Sequence, residues 1–259
     1  MKKLNYIFLM AVGLCSFYTG SSQDFKVAVE NTRDGKIILD DFSGPLPIEG
    51  YDGKEIIVTN LNSEFKSPPD RAKGLKPVYA AGTDNTGIGL YMLKEGNRIT
   101  FRCLLPITHQ ADFKIKVPNN FAVKVKSECG KGGNISVDDM KNEVEVSACH
   151  AIKVRHVTGP LVLSTISGNV DVTFAEVAKD KPISIATISG EIDVTLPAKT
   201  PFNLEMQTIS GNMYSDFEFP VNDKQLKKIG GSSVDTQLNG GGVDIKINNV
   251  SGNIYLRKG

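Results

Sequence analysis

The sequence contains no tryptophan, only three histidines and four cysteines among 259 residues, and no excess of either charge. Its 30 Lys and Arg residues balance 29 Asp and Glu residues, which gives a formal net charge of +1. A balanced charge gives no electrostatic reason to expect nucleic acid or an anionic membrane surface as a partner. The longest apolar run, near the start, falls short of the roughly 20 residues that span a bilayer. The sequence therefore predicts neither nucleic-acid binding nor a membrane span.

Recognised catalytic and ligand-binding motifs are also missing. There is no G-x-S-x-G, H-E-x-x-H, Walker loop or dinucleotide fingerprint. A zinc site could be drawn from two cysteines and two histidines, namely Cys129, Cys149, His150 and His156. However, the two histidines stand at opposite ends of a predicted strand around residues 152–154. We therefore predict no catalytic residue, no metal and no cofactor.

The first 22 residues have the three parts of a secretory signal peptide. Two lysines supply a positive start, residues 4–15 are mostly apolar, and Gly20-Ser21-Ser22 provides small residues for cleavage. We predict cleavage near Ser22-Gln23 and an exported chain, in the periplasm, on the outer surface or secreted. Lipid attachment at Cys15 is not expected, because the large Leu14 stands where a lipoprotein signal has a small residue.

Glycine is abundant, with 25 residues, and four glycines belong to near-copies of one segment. Each copy carries Ile-Ser-Gly or Val-Ser-Gly followed by a short alternating strand, and the glycines are Gly168, Gly190, Gly211 and Gly252. Their spacings are 22, 21 and 41 residues, the last being close to two periods. Self-similarity at about 20 residues indicates a solenoid. We predict that these glycines turn the chain at the corner of each coil.

The strands on either side of each turn alternate apolar and polar residues, as in Val170-x-Val172 and Ile183-x-Ile185. Each coil therefore holds two short strands, one in each of two sheets. We predict an all-β protein, a flattened two-sheet β-solenoid similar to a single-stranded β-helix. Its inward Ile, Val and Leu side chains would form one continuous core along the stacked coils.

The domain organisation follows from where this pattern is regular. Residues 1–22 are the signal peptide, and residues 23–118 are irregular β-rich coils and a cap, with a hairpin at 89–104. Residues 119–259 form the regular solenoid, continuous with the preceding segment. Because the chain stops soon after the alternating residues 254–256, we predict that this last strand is a sheet edge guarded by terminal charges.

A ladder of threonines precedes the turns. Thr165, Thr187 and Thr208 occupy equivalent places in three near-copies. We predict that they stack along one lateral edge of the solenoid and form hydrogen bonds between coils.

Two cysteines are 20 residues apart, which is about one coil. In register, Cys129 and Cys149 would be about 4.8 Å apart, within the Cα range of a disulfide. In the alternative, both are small apolar fillers, with Cys149 in the position of Ile166, Ile188 and Ile209. The exported chain keeps three cysteines, so at least one stays unpaired within a monomer.

Two carboxylates, Asp171 and Asp193, are predicted to line up on the outer face, with Lys153 one coil before them. Such a pair could serve a glycosidase or hold calcium. The simplest interpretation is a solvated face. A groove that gathers both carboxylates with a basic residue would favour an enzyme.

The segment from Phe113 to Gly259, with its Val117-Pro118 entry and Ser-Gly repeats, resembles a family of secreted bacterial β-strand-repeat proteins described as adhesin-like. The resemblance implies a non-enzymatic, exported or envelope-associated protein that presents a binding surface to a surface glycan or an envelope protein. A carbohydrate-active enzyme of the parallel β-helix type and a periplasmic scaffolding or regulatory module are the alternatives. The family carries no agreed catalytic residues.

Overall fold

The computed structural model describes residues 23–62, 69–106, 112–179, 181–219 and 232–259, so the predicted signal peptide and Cys15 lie outside the described residues. The described residues form 22 strands and one 3₁₀ turn, Asp70–Ala72. In chain order the strands are β1 Gln23–Ala28, β2 Lys36–Asp40, β3 Gly44–Tyr51, β4 Glu55–Asn60, β5 Val78–Tyr79, β6 Gly82–Thr83, β7 Leu90–Glu95, β8 Arg98–Cys103, β9 Phe113–Pro118, β10 Ala122–Lys126, β11 Gly132–Asp138, β12 Val144–Ala148, β13 Ile152–Val157, β14 Leu161–Ser167, β15 Val170–Phe174, β16 Ile183–Ser189, β17 Ile192–Leu196, β18 Phe202–Ser210, β19 Met213–Ser215, β20 Ser232–Leu238, β21 Val243–Ser251 and β22 Ile254–Lys258.

Twenty of these strands form two sheets of ten. The first sheet has the order β1-β4-β9-β3-β11-β13-β15-β17-β22-β19, and the second has the order β20-β18-β21-β16-β14-β12-β10-β2-β8-β7. From β10 to β17 the chain alternates between the sheets, so that one strand of each sheet makes one coil. Neighbouring coils pair in parallel, as β14 does with β16 and β15 with β17. This arrangement confirms the predicted all-β, two-sheet solenoid.

The alternation of side chains places one core between the two sheets. In β14, Leu161, Leu163 and Thr165 are buried while the residues between them face solvent. The same alternation continues from coil to coil and joins residues from Val27 to Leu256 in a single hydrophobic cluster. Full burial of one such aliphatic side chain contributes about 1.5–3 kcal/mol. A one-residue slip in register would turn all the apolar side chains of a strand to solvent. Burial in the core therefore fixes the register in which the coils stack.

The order of the coils departs from the order of the chain near the C-terminus. The coil made by β21 and β22 lies between the β16–β17 coil and the β18–β19 coil. The prediction that residues 254–256 form a sheet edge is therefore wrong, since β22 pairs with β17 on one side and with β19 on the other. The reason is the position of β20, which runs antiparallel along the outer side of β18. With that side covered, the last coil pairs with the inner side of β18.

A similar exchange occurs near the N-terminus. The coil made by β2 and β3 lies between the β8–β9 coil and the β10–β11 coil. In the second sheet, β2 pairs in parallel with β8 and β10. In the first sheet, β3 pairs in parallel with β9 and β11. The regular solenoid is therefore continuous with an early coil that reaches it out of chain order.

Antiparallel strands close three of the four sheet edges. They are β1, which pairs with β4, β7, which pairs with β8, and β20, which pairs with β18. The β7–β8 pair confirms the hairpin predicted at 89–104. Short or antiparallel strands at the edges limit edge-to-edge association of stacked sheets. The fourth edge is β19, which has three residues and pairs in parallel with β22.

Candidate binding surface

The four turn glycines lie in one column, in the order Gly168, Gly190, Gly252 and Gly211. Their φ angles are 144°, 143°, 135° and 157°, a region that side-chain-bearing residues rarely adopt. The backbones also approach closely: a Cβ on Gly190 would lie 2.3 Å from the Gly168 carbonyl oxygen, and one on Gly252 would lie 2.0 Å from that of Gly190. Glycine is therefore required at each corner for two reasons, the positive φ angle and the close contact with the neighbouring coil.

A second column, buried just inside the glycines, consists of Thr165, Thr187, Asn249 and Thr208. Each side chain donates a hydrogen bond to a backbone carbonyl of the preceding coil in the stack. Thr165 Oγ1 donates to His150 O at 2.8 Å, Asn249 Nδ2 to Gly190 O at 2.9 Å and Thr208 Oγ1 to Gly252 O at 3.2 Å. The column thus bonds to the turns rather than to itself.

Asn249 is a member that sequence reasoning missed. It stands in the last near-copy where the others have threonine, and its amide donates where they use a hydroxyl. The signal was present, because Asn249 occupies the same position relative to its Ser-Gly pair as Thr165, Thr187 and Thr208 do.

The residues after this column point outward. Ile166, Ile188, Val250 and Ile209 are 43–55% exposed and lie side by side on the second sheet; we call them the aliphatic column. The alternative in which Cys149 is an apolar filler in the position of these isoleucines is therefore wrong, because that position faces solvent. The preceding threonine or asparagine faces inward to bond the turn, so the alternation of the strand turns the next side chain to solvent.

An open groove of about 440 Å³ runs beside the aliphatic column. Ser164, Ala186, Asn248 and Gln207 stand in register along it as a row of small or amide side chains. Lys246, which forms a 2.7 Å ion pair with Glu205, also lines it. This aliphatic groove therefore combines an apolar wall, hydrogen-bonding amides and a charged margin.

The structure joins Cys129 and Cys149 by a disulfide with a Cα–Cα distance of 5.3 Å. The bond links the β10–β11 turn to the β12–β13 turn, at the same corner of the solenoid as the glycine column. Cys149 follows Ala148, which pairs with Thr165, so it stands in line with Ile166 on the next coil. Cys103 is free and buried, and its burial raises the pKa of the thiol.

The outer face of the first sheet carries the predicted row of charges. Lys153, Asp171 and Asp193 are in register on β13, β15 and β17. Arg257 donates from Nε to both Asp193 oxygens at 2.8 and 2.9 Å, and this bond raises the pKa of Arg257. The carboxylates stand on the face of a sheet and do not line the aliphatic groove on the opposite sheet.

The same row continues to two aromatic residues. Asp193 pairs with Tyr255, and Tyr255 pairs with Tyr214 on the edge strand β19. The two rings are stacked, with centroids 5.3 Å apart and planes inclined by 12°. Arg257 lies over Tyr255 at 5.4 Å from the ring centroid. Sequence reasoning did not single out these tyrosines.

The histidines are not gathered into a site. His150 lies between β12 and β13, His156 lies near the end of β13, and His156 Nδ1 is 3.5 Å from Asp139 Oδ1. Within the described ranges, no three His, Cys, Asp or Glu side chains are grouped as metal ligands. The same ranges contain no helix with the length and apolar character to cross a bilayer.

Residues 98–257, more than half of the chain, match the family model described as Toastrack DUF4097. The chain belongs to the toastrack family. The toastrack match begins at β8 and ends within β22, so it includes the glycine column, the disulfide and the aliphatic groove. It confirms the family resemblance of the Ser-Gly repeats. No curated protein matches the chain.

Two solved structures are similar to this toastrack chain. One, described as a "putative cell adhesion protein" from Clostridium sporogenes, is 11% identical over 92% of this chain and 100% of its own, with a TM-score of 0.45. The other, described as a "putative adhesin" from Bacteroides fragilis, is 11% identical over 93% of this chain and 98% of its own, with a TM-score of 0.35. Similarity at this level carries no conclusion about what this chain binds.

Proposed function

We propose that this toastrack protein is an exported, non-enzymatic, adhesin-like binding protein that holds an envelope protein in the aliphatic groove. The supporting observation is the aliphatic column, in which four large aliphatic side chains are about half exposed on neighbouring coils. At an inter-strand spacing of about 4.8 Å they form a row roughly 14 Å long. Contiguous exposed apolar surface of this kind is typical of interaction sites.

The rest of the groove suits a protein partner. Asn248, Gln207 and Ser164 offer hydrogen-bonding groups next to the apolar wall, and Lys246 and Glu205 stand at its margin. An apolar centre with a polar rim is the usual anatomy of a protein–protein interface. The aliphatic wall is therefore the expected anchor of the partner.

Two remaining features favour a binding protein over an enzyme and a location outside the cytoplasm over one inside it. The Asp171–Asp193 pair lies on an open sheet face, and Arg257 engages Asp193, whereas a parallel β-helix enzyme needs its carboxylates in a cleft around the substrate. The Cys129–Cys149 disulfide is of a kind that persists in oxidising compartments. Together with the signal-like start of the chain, it supports a location outside the cytoplasm.

The test is binding of the labelled chain 23–259 to envelope fragments from the source cells. We expect the double variant Ile166→Ser, Ile188→Ser to bind about tenfold more weakly, because it removes half of the apolar wall. Leu93→Ser is the matched control, since Leu93 is a 40% exposed aliphatic residue on β7 at the other end of the sheet. Protease treatment of the envelope should abolish the part of the binding that the double variant loses.

Unchanged binding by the double variant would refute the role of the groove. If the binding that depends on Ile166 and Ile188 survives protease but is lost after periodate oxidation, a protein partner is refuted. Circular dichroism of each variant separates loss of binding from loss of fold, because Ile166 and Ile188 lie outside the core.

A further inference from the structure

The tyrosine pair at the open end of the first sheet has the features of a carbohydrate site. We infer that Tyr214, with Asn212 and Asp216 beside it, binds an uncharged pyranose of an extracellular glycan. This site lies on the opposite sheet from the aliphatic groove and does not depend on the function proposed for that groove.

The inner tyrosine is held rigidly. Asn253 Nδ2 donates to Tyr255 Oη at 3.1 Å, and Tyr255 Oη donates to Glu191 Oε1 at 3.1 Å. Arg257 packs over the same ring and is itself fixed by Asp193. Because its hydroxyl and its ring are both engaged, Tyr255 serves as a fixed base for the tyrosine stacked on it.

The outer tyrosine is available. Tyr214 is 50% exposed, and β19 is the last strand of the first sheet. One face of its ring meets Tyr255, so the opposite face is directed past the sheet edge, where no described strand pairs with β19. Its hydroxyl has no hydrogen-bond partner among the described residues. The protein therefore presents a preorganised aromatic face with a free polar tip.

Hydrogen-bonding groups flank that face. Asn212 and Asp216 stand two residues before and after Tyr214, each about 6.6 Å along the strand direction. Both are exposed, and within the described part of the chain neither side chain makes a hydrogen bond. An amide and a carboxylate can donate to and accept from the hydroxyls on the rim of a sugar ring, while its C–H face packs on the negative face of the aromatic ring.

The charge around the ring favours an uncharged sugar. Glu191, Asp193 and Asp216 supply three carboxylates, against the two cations Arg257 and Lys258. The excess is negative, because Arg257, the cation on which Asp216 acts electrostatically, is already bonded to Asp193. A uronic or sialic acid would therefore meet repulsion at the position where a neutral hexose or an N-acetylated hexose would meet hydrogen bonds.

Saturation-transfer NMR with the chain 23–259 tests the site. The probes are cellohexaose, maltohexaose, mannohexaose and chitohexaose, with hexagalacturonate as the acidic comparison. We expect at least one uncharged hexasaccharide to bind in the millimolar range or tighter. Tyr214→Ala should weaken its binding about tenfold, and Tyr214→Phe, which keeps the ring, should stay within about threefold.

Tyr91→Ala is the matched control, because Tyr91 is a 38% exposed tyrosine on β7 at the far end of the other sheet. It should leave the affinity unchanged, and so should Ile188→Ser, which separates this site from the aliphatic groove. The inference is overturned if no uncharged hexasaccharide binds, if Tyr214→Ala binds as the wild type does, or if hexagalacturonate binds more tightly than all the uncharged probes.

Discussion

At the scale of single residues, the solenoid depends on glycine for close approach between coils as much as for turning. Gly190 has a φ of 143°, and its backbone packs directly on the carbonyl of Gly168. A methyl group there would strain the backbone and push two coils apart. The same double constraint applies to Gly252, which stands next in the column.

We expect Gly190→Ala to lower the free energy of unfolding by roughly 3 kcal/mol, combining backbone strain with overpacking. The matched control is Gly96→Ala in the β7–β8 turn, where φ is 60° and nothing lies within 4 Å of an added Cβ. That change should cost only about 1 kcal/mol. Urea denaturation of both variants measures the difference, and equal losses would contradict the requirement for close approach.

A second residue-scale prediction concerns pH. Glu145 accepts a hydrogen bond from Lys124, with Lys36 nearby at 3.6 Å, and these partners hold its pKa below the ordinary 4.5. A lowered carboxyl pKa adds stability above the unfolded value, and this stability is lost as pH falls through the folded pKa. Glu145→Gln should therefore destabilise by up to about 1 kcal/mol at pH 7 and by less at pH 3.

Thermal melts at the two pH values check this, with Glu205→Gln as the control. Glu205 pairs with Lys246, but both side chains are about half exposed. Because solvent screens an exposed pair, this ion pair contributes less to the free energy of unfolding. A Glu145→Gln effect of the same size at pH 3 and pH 7 would show that the carboxylate charge is not its source.

The residue pattern explains which parts of the surface could be predicted from the sequence. Thr165, Thr187 and the turn glycines recur at a fixed place in each near-copy, so their alignment along the stack follows from the repeat. The exposure of Ile166 and Ile188 could not be predicted in this way, because an aliphatic residue in a strand is normally assigned to the core. The buried threonine hydroxyl reverses that assignment by bonding the turn.

At the scale of elements, the Cys129–Cys149 bond joins two consecutive coils at the corner where their turns stack. It closes a loop with a sequence separation of 20 residues. For a loop of that length, the chain-entropy model gives a stabilisation of about 3 kcal/mol.

We expect the double variant Cys129→Ser, Cys149→Ser to lose about that amount of stability while keeping its fold, because both cysteines lie on the surface side of the turns. Reduction of the wild type by dithiothreitol should give the same loss in a urea titration. The control is the free cysteine, Cys103. Because Cys103→Ala removes no cross-link, dithiothreitol should lower the stability of this variant by the same amount as it lowers that of the wild type. A wild type equally stable with and without dithiothreitol would rule out a stabilising bond.

The order in which the coils stack could not be predicted from the sequences of the individual strands. Every coil offers the same parallel backbone hydrogen bonds and the same aliphatic inner face, so β16 could accept either β18 or β21 as its neighbour. The choice is made by β20, whose antiparallel pairing with β18 occupies the outer side. That pairing is a long-range contact without a repeat signature, and the chain order of near-copies therefore gave the wrong neighbour.

At the scale of the whole molecule, the intercalated coil predicts an unusual response to truncation. Deletion of residues 243–259 removes β21 and β22 from inside the stack, where they join β16–β17 to β18–β19. We expect β18 amides to lose hydrogen-exchange protection, because β18 then keeps only β20 as a partner.

Deletion of residues 23–28 is the matched control. It removes β1, an edge strand that pairs with β4 and with no other strand among the described residues, so protection loss should stay near that edge. If β18 in the C-terminal deletion exchanged as slowly as in the wild type, the β18–β19 coil would have docked directly on β16–β17. The intercalated arrangement would then not be needed for a stable stack.

This intercalation separates the order of synthesis from the order of assembly. A ribosome delivers β18 and β19 before β21 and β22, yet the earlier pair cannot join the β16–β17 coil until the later pair lies between them. The C-terminal end of the stack therefore cannot grow one layer at a time as the chain emerges. β21 and β22 connect the two parts of the stack, and a nascent chain that has not yet reached them holds the β18–β19 coil apart from the β16–β17 coil.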